Sequence, residues 1–370
     1  MKVLHISPTY FSNQSFIGGG ERYAYELAKA MAQKEEVVFL SFANEPSEQR
    51  EGALFVEHIQ RSVFLGSHSL GANPFSSRFM KWIRWADVIH CYQVHTINTD
   101  MAVILGKMLG KKVFVTDLGG GDKFALSYHL PILKRVNAFL LISEYSKRLW
   151  ERTPLKSRPE SLQVIYGGVD TEKFCPANGT KNRQALFVGR ILPHKGIDYL
   201  IEAVDRTWAL DVVGKVYHEQ YFDLLKAKSK DKAVRFHVGI GDEKLVEKYR
   251  ESLVTVLPSV YEDCYGGRTV VPELLGLTVL ESMACGTPVI VTEVGSLPEI
   301  VEDRVTGFLI PPNKPSAIRE KIDFFLANPD IAVEMGKRGR EEILKRFTWD
   351  AVAKRCLEAY GLPVLDKETQ

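Results

Sequence analysis

Along the chain, short runs that are largely apolar rather than alternating are followed by stretches in which apolar residues fall three and four apart. Val3 to Ile6 is the first such run; Ala24, Leu27, Ala28 and Met31 follow at helical spacing, and Val37 to Phe42 closes the unit. The same rhythm continues through Asp87 to Tyr92, Lys112 to Leu118, Ala138 to Ser143 and Gln163 to Tyr166. Runs of this kind suit strands of a parallel sheet covered by helices on both faces. The pattern then starts afresh at Ala185 to Gly189, with Ile197, Leu200, Ile201 and Val204 at helical spacing behind it. Strand candidates Leu210 to Val213, Val234 to Val238, Val254 to Leu257 and Pro288 to Val291 predict a second parallel sheet. The turn-rich stretch YGGVDTEKFCPANGTKN, near Gly167 to Asn182, separates the two halves.

Length agrees with this division, since 370 residues at roughly 100–200 per domain favour two domains with a core each. Forty-eight basic against 46 acidic side chains give a net charge of +2, which argues against nucleic acid as a partner. The five cysteines are scattered, with no CxxC pair and no zinc-like His spacing, so reduced thiols in a cytoplasmic setting are expected. MKVLHISPTYF enters a strand pattern directly and lacks the form of a signal peptide. No apolar run approaches the roughly 18 residues of a spanning helix.

Candidate chemistry gathers in the second half. VGRILPHKG places Arg190 and Lys195 in the loop after its first strand, the edge at which open α/β sheets bind ligands. A guanidinium fork and a mobile ammonium together suit a diphosphate whose charge grows as it departs; two solvated surface cations are the plain alternative. In PELLGLTVLESMACGTPVI, Glu273 and Glu281 flank the start of a helix whose buried face carries Leu277, Leu280 and Ala284. Backbone N–H groups at Gly276, Leu277 and Thr278 can hold a phosphate there, while the carboxylates accept hydrogen bonds from sugar and ribose hydroxyls. For an isolated pair of acids, a helix-dipole role for Glu273 and a solvated Glu281 would be the better reading.

Taken together, these segments resemble glycosyltransferase family 4, retaining enzymes of the GT-B fold, whose E-x7-E motif matches Glu273 to Glu281. The resemblance runs through GGGERYAYELAKAM, VIYGGVDTEKF, VGRILPHKGIDYLIEA, the two-glutamate segment and VGSLPEIVEDRVTGFLIPP in order. It implies two Rossmann-like domains facing each other across a cleft: residues 1–168 on the acceptor side, residues 169–346 binding the nucleotide sugar, and a C-terminal helix in 347–370 packing back on the first. It also implies that Arg190 and Lys195 hold the donor diphosphate, that Glu273 contacts the sugar and Glu281 the ribose, that Gly239 and Ile240 seat the base through their backbone, and that the Ile17 to Gly20 loop, with Gly19 and Gly20, lies near the donor phosphate. The implied reaction transfers a hexosyl-type sugar from UDP or GDP to a glycan, lipid-linked or small-molecule hydroxyl, with no metal and no cofactor, in a monomer or weak dimer.

Two departures from that pattern stand out. Where many members carry a His after a first-domain strand, VFVTDLGGGD places Asp117, as a sugar-binding or oxocarbenium-stabilising carboxylate or as a turn-capping one, and His95 competes for the role. Tyr261 to Val271 is an insertion before the first glutamate, and Glu262 within it rivals Glu273. KWIRW, Lys81 to Trp85, reads either as contact with anionic lipid at the cytoplasmic membrane face or as an amphipathic helix with its tryptophans in the core. A nucleotide-sugar-binding protein that no longer transfers is the alternative function. A dinucleotide oxidoreductase lacks its GxGxxG support, because GGGE has the wrong spacing.

Overall fold

The computed structural model describes residues 1–11, 19–43, 45–60, 63–64, 74–119, 125–153, 161–177, 179 and 181–361. The chain forms two compact units, one comprising Met1–Gly168 with the residues from Trp349 onward and the other Val169–Thr348.

In the first unit, strands β1 (Lys2–Phe11), β2 (Glu36–Ala43), β3 (Ser47–Glu51), β4 (Leu54–Gln60), β5 (Val88–Tyr92), β6 (Lys112–Thr116), β7 (Ala138–Leu141) and β8 (Leu162–Val164) form one sheet. Their order is β8-β7-β6-β5-β1-β2-β4-β3. All neighbours are parallel except β3, which runs antiparallel to β4 at the edge. The central strands are buried along their length, and Leu4, Ile6, Val38, Leu40, Ile89, Val113, Val115 and Phe139 share one core. The helices that matter here are α1 (Gly19–Met31), α2 (Phe79–Trp85), α3 (Ile97–Met108) and α4 (Glu144–Glu151). Thr96 caps α3 and Ser143 forms a capping box on α4, satisfying donors that the first helical turns leave open.

KWIRW falls in α2, where Phe79, Trp82 and Ile83 are buried. The Trp82 indole donates to the Glu57 carboxylate, and the Lys81 ammonium lies 4.4 Å from the Trp82 ring centre. Trp82 is therefore a core residue and is not available to lipid. Among the described residues no helix is long and apolar enough to cross a membrane.

The C-terminal helix Trp349–Ala359 belongs to this first unit. Trp349 meets the edge of Tyr23 at 5.3 Å, and Arg355 donates to the Ile165 carbonyl at 2.8 Å. Just beyond the helix, the Tyr360 hydroxyl lies 2.7 Å from His90 Nδ1, and its carbonyl accepts from Lys112 at 2.9 Å. His90 and its register partner His5 are both fully buried on adjacent strands. Burial pulls the His5 imidazole down to about 3 and His90 well below its usual range.

A depressed histidine contributes stability that is present above the unfolded value near 6.5 and is lost as pH falls through the folded one. His5 alone should then cost the fold roughly 5 kcal/mol between pH 6.5 and 3, at about 1.4 kcal/mol per unit. Urea titrations across this window should show His5→Gln losing less stability on acidification than the parent chain; parallel losses would refute the assignment.

The second unit repeats the architecture with β9 (Asn182–Val188), β10 (Ala209–Val213), β11 (Val234–His237), β12 (Ser252–Leu257), β13 (Val289–Thr292) and β14 (Gly307–Ile310). The order is β11-β10-β9-β12-β13-β14, and every pair is parallel. Its site is framed by α5 (Ile197–Ala203), α6 (Glu219–Lys228), α7 (Asp242–Glu251) and α8 (Leu277–Ala284). A parallel sheet gathers the loops that follow its strands at one edge, which brings distant parts of the sequence together.

Candidate functional site

In the second unit, Lys195 ends a short 3-10 turn, Pro193–Lys195, in the loop after β9. The turn is anchored by the His194 carbonyl, which accepts from Val260 N at 2.9 Å. Burial, followed by the nearby Lys195 charge, pulls the His194 imidazole down to about 4, so it is neutral near pH 7. The Lys195 ammonium donates to Glu273 Oε1 and, at 3.3 Å, to the Pro272 carbonyl. Ser259 Oγ donates to the same Glu273 oxygen at 2.7 Å, while the Ser259 carbonyl accepts from Thr292 Oγ1 at 2.6 Å. Lys195 is 7% exposed and Glu273 is 8% exposed. A charge pair this dry is costly to form and more costly to break, which fixes both side chains in one geometry.

Glu273 is also held through its backbone. Its carbonyl accepts from Ser296 N at 3.2 Å. Gly295, at φ +60°, passes so close to that carbonyl oxygen that a Cβ would fall on it. The Gly295 N–H donates to the Tyr261 hydroxyl at 3.0 Å, tying the root of the inserted segment to the same corner.

Glu281 sits one turn into α8, is 7% exposed, and accepts from the Tyr249 hydroxyl of α7 at 2.8 Å. Gly276 caps α8 in the left-handed conformation at φ 88°, which lets the chain turn into the helix with Leu277 and Thr278 in its first turn. Arg190 is exposed after β9, its guanidinium 5.8 Å from the centre of the Tyr217 ring. Gly239, at φ +76°, and Ile240 follow β11, and a side chain at Gly239 would meet nothing within 4 Å. All these positions follow strands of the second sheet at its carboxyl edge or start the next helix. The structure brings Lys195 and Glu273 into contact; Arg190 and Glu281 each have a different aromatic partner.

The two glutamates differ in burial and in partner. Tyr261 to Val271 folds as a small turn in which Asp263 Oδ1 accepts from Tyr265 N and Gly267 N. Glu262 pairs with Arg268 at 3.0 Å, and both are exposed. Glu262 is thus paired at the surface, whereas Glu273 is paired with the buried Lys195. Ser259 and Tyr249, which fix the two site glutamates, were not expected from sequence. Ser259 has a weak signal, since it lies two residues beyond the end of β12; Tyr249 lies on an ordinary amphipathic helix.

In the first unit, Asp117 directly follows β6 and is partly buried. Its carboxylate accepts from Gly119 N and Trp150 Nε1, each at 3.2 Å, and from Val94 N. Burial pushes this carboxyl up to about 6, with the three donors pulling the other way. Gly19 and Gly20 are the first two residues of α1 rather than loop, and Gly20 stands beside the Leu118 side chain. Ile17 and Gly18 of that expected loop, and Gly120 to Asp122, lie outside the described residues.

The family follows from sequence comparison. A family model described as "Glycosyltransferase Family 4" matches residues 17–173, and one described as "Glycosyl transferases group 1" matches residues 169–342. The chain belongs to this glycosyltransferase family. Alpha-maltose-1-phosphate synthase of Mycobacterium tuberculosis is 29% identical over 66% of this chain and 67% of that protein. An uncharacterised glycosyltransferase of Methanocaldococcus jannaschii is 26% identical over 97% of this chain and 98% of its own length. Among solved structures, sucrose-phosphate synthase from Thermosynechococcus elongatus has a TM-score of 0.73 at 22% identity, covering 97% of this chain and 98% of that one. Anabaena HepE, solved with UDP and glucose, has a TM-score of 0.73 at 18% identity, covering 98% and 99%. These likenesses establish the GT-B fold.

Proposed function

We propose that this chain is a retaining, metal-independent glycosyltransferase that moves a hexosyl-type sugar from a UDP- or GDP-sugar to a hydroxyl of a glycan, lipid-linked or small-molecule acceptor. The observation that carries this reading is the buried Lys195–Glu273 pair beside the amino terminus of α8, with Glu281 one turn further on. A preorganised ammonium and a helix amino terminus stabilise a departing diphosphate where water is excluded, and need no proton transfer from the protein to do so. Arg190, exposed after β9, supplies a mobile second cation for the same phosphates. Glu273 orients the sugar, Glu281 accepts from ribose hydroxyls, and the Gly239–Ile240 backbone meets the base. In this reading the acceptor hydroxyl enters on the face that the diphosphate leaves, and a phosphate oxygen takes its proton.

The name of the M. tuberculosis relative, a maltose-1-phosphate synthase, favours a small hydroxylated acceptor over a polymer. Five free thiols suit a cytoplasmic enzyme. The test is a thermal-shift screen against UDP-, GDP- and ADP-sugars followed by a product assay. A donor at a hundred times its Kd should stabilise the second unit by about 2.7 kcal/mol, and the same donor should be consumed. Stabilisation without hydrolysis or transfer would leave a binding protein of the same fold, and no stabilisation by any nucleotide sugar would overturn the reading.

A further inference from the structure

The loop after β5 has an unusual build. Gln93 and His95 take left-handed backbone angles, φ 79° and 53°, although neither is glycine. Such strain costs on the order of 1–3 kcal/mol per residue and persists only where surrounding bonds impose it. Here Gln93 N donates to the Thr116 carbonyl at 2.8 Å, the Gln93 amide donates to the Gly119 carbonyl, and Thr99 Oγ1 donates to the Gln93 carbonyl at 2.7 Å. Asp117 adds its bond from Val94 N, between the two strained residues. With Gly119 N and Trp150 Nε1 also donating to it, the Asp117 carboxylate is engaged in bracing this loop.

The braced loop presents the His95 imidazole. Its ring stacks on Tyr128 with centres 4.0 Å apart and planes 18° from parallel, and Nδ1 lies 3.1 Å from Ser127 Oγ. Ser127 is held in turn by its backbone N–H, which donates to Oδ2 of the buried Asp100 at 3.1 Å. With Nδ1 engaged by the Ser127 hydroxyl, Nε2 is the ring nitrogen that has no protein partner among the described residues. Burial lowers the His95 affinity for a proton, which keeps the ring neutral near pH 7. Tyr128, stacked on it, is 49% exposed, an apolar ring next to the imidazole at the carboxyl edge of a parallel sheet.

We propose that His95, held by Ser127 and by the Asp117-braced loop, binds a hydroxyl of a sugar or polyol acceptor through the Nε2 lone pair, with Tyr128 against the apolar face of that molecule. This rests on the transferase reading above and assigns its acceptor class; Asp117 is then a positioning residue and not a group that touches the sugar.

Two measurements on the full chain test it. Long-range proton–nitrogen NMR of histidine-labelled protein, with His95 assigned by its loss in His95→Gln, should show the Nδ1–H tautomer, and Ser127→Ala should shift the ring toward Nε2–H. An Nε2–H tautomer in the parent protein overturns the proposal. In steady-state transfer to glucose and myo-inositol, His95→Ala should raise acceptor KM at least tenfold while affinity for the stabilising nucleotide stays within twofold, and His95→Gln should recover part of the loss. Unchanged acceptor KM also overturns it. A parent protein that binds and consumes no nucleotide sugar defeats the transferase reading, whereas the tautomer still decides the state of His95.

Discussion

Replacing Lys195 by alanine is expected to lower transfer on the order of 10^3-fold, equivalent to about 4 kcal/mol of transition-state stabilisation. The ammonium is buried and already aimed, held on Glu273 and the Pro272 carbonyl, so its loss removes a charge that water cannot replace. The same change leaves the Glu273 carboxylate buried with Ser259 as its remaining side-chain partner, and should cost about 3–5 kcal/mol of stability. These two effects can be separated. The double variant Lys195→Ala with Glu273→Gln removes the orphaned charge and should regain much of the lost melting temperature, yet remain inactive. Transfer within tenfold of the parent rate in the single variant would remove Lys195 from the chemistry.

The second large effect is expected at Gly295. An alanine there would carry its Cβ onto the Glu273 carbonyl oxygen while keeping a left-handed φ of +60°. Overpacking of about 1–3 kcal/mol and about 1 kcal/mol for the backbone together predict a loss of roughly 2–4 kcal/mol. At about 2–4 °C per kcal/mol for a unit of this size, the melting temperature should fall by about 4–16 °C. The backbone of Glu273 must move to admit the methyl group, and a misplacement of about 1 Å can cost 10^2-fold in rate. Calorimetry and initial rates on Gly295→Ala measure both consequences. A variant that melts and turns over like the parent would mean that the 294–296 turn does not hold the carboxylate in place.

The layered architecture was legible because buried parallel strands are mostly apolar rather than alternating, as in Val88–Tyr92 and Ser252–Leu257. Ser47–Glu51 was invisible for the opposite reason. Its SEQRE side chains are almost wholly exposed at a sheet edge, where charge discourages further pairing and no apolar signal remains. The short GFLI strand, Gly307–Ile310, lay within a recognised motif and was not separated from it. At the site, residue types and spacing pointed to Arg190, Lys195, Glu273 and Glu281, but their relationships were not readable. Nothing in sequence links Tyr249 to Glu281, or Ser259 to Glu273, since each contact is made by strands that return to one edge. Sequence also could not show how Glu262 and Glu273 differ in surroundings: Glu262 has an exposed arginine, Glu273 a buried lysine. For Asp117 and His95, only the backbone strain and the donors around the carboxylate separate a brace from a binding group.

The route of the chain has a consequence for biosynthesis. Residues 169–348 are inserted between the body of the first unit and its last helix, and the entering and leaving segments lie side by side, with Val169 N donating to the Phe347 carbonyl at 2.8 Å. On a ribosome the first sheet therefore emerges without Trp349 against Tyr23 or Tyr360 over His90. At roughly 5–20 residues per second, synthesis of the inserted unit takes on the order of ten to forty seconds. During that interval the face awaiting the helix is uncovered, so the nascent first unit is a natural client for a chaperone until its closing segment arrives.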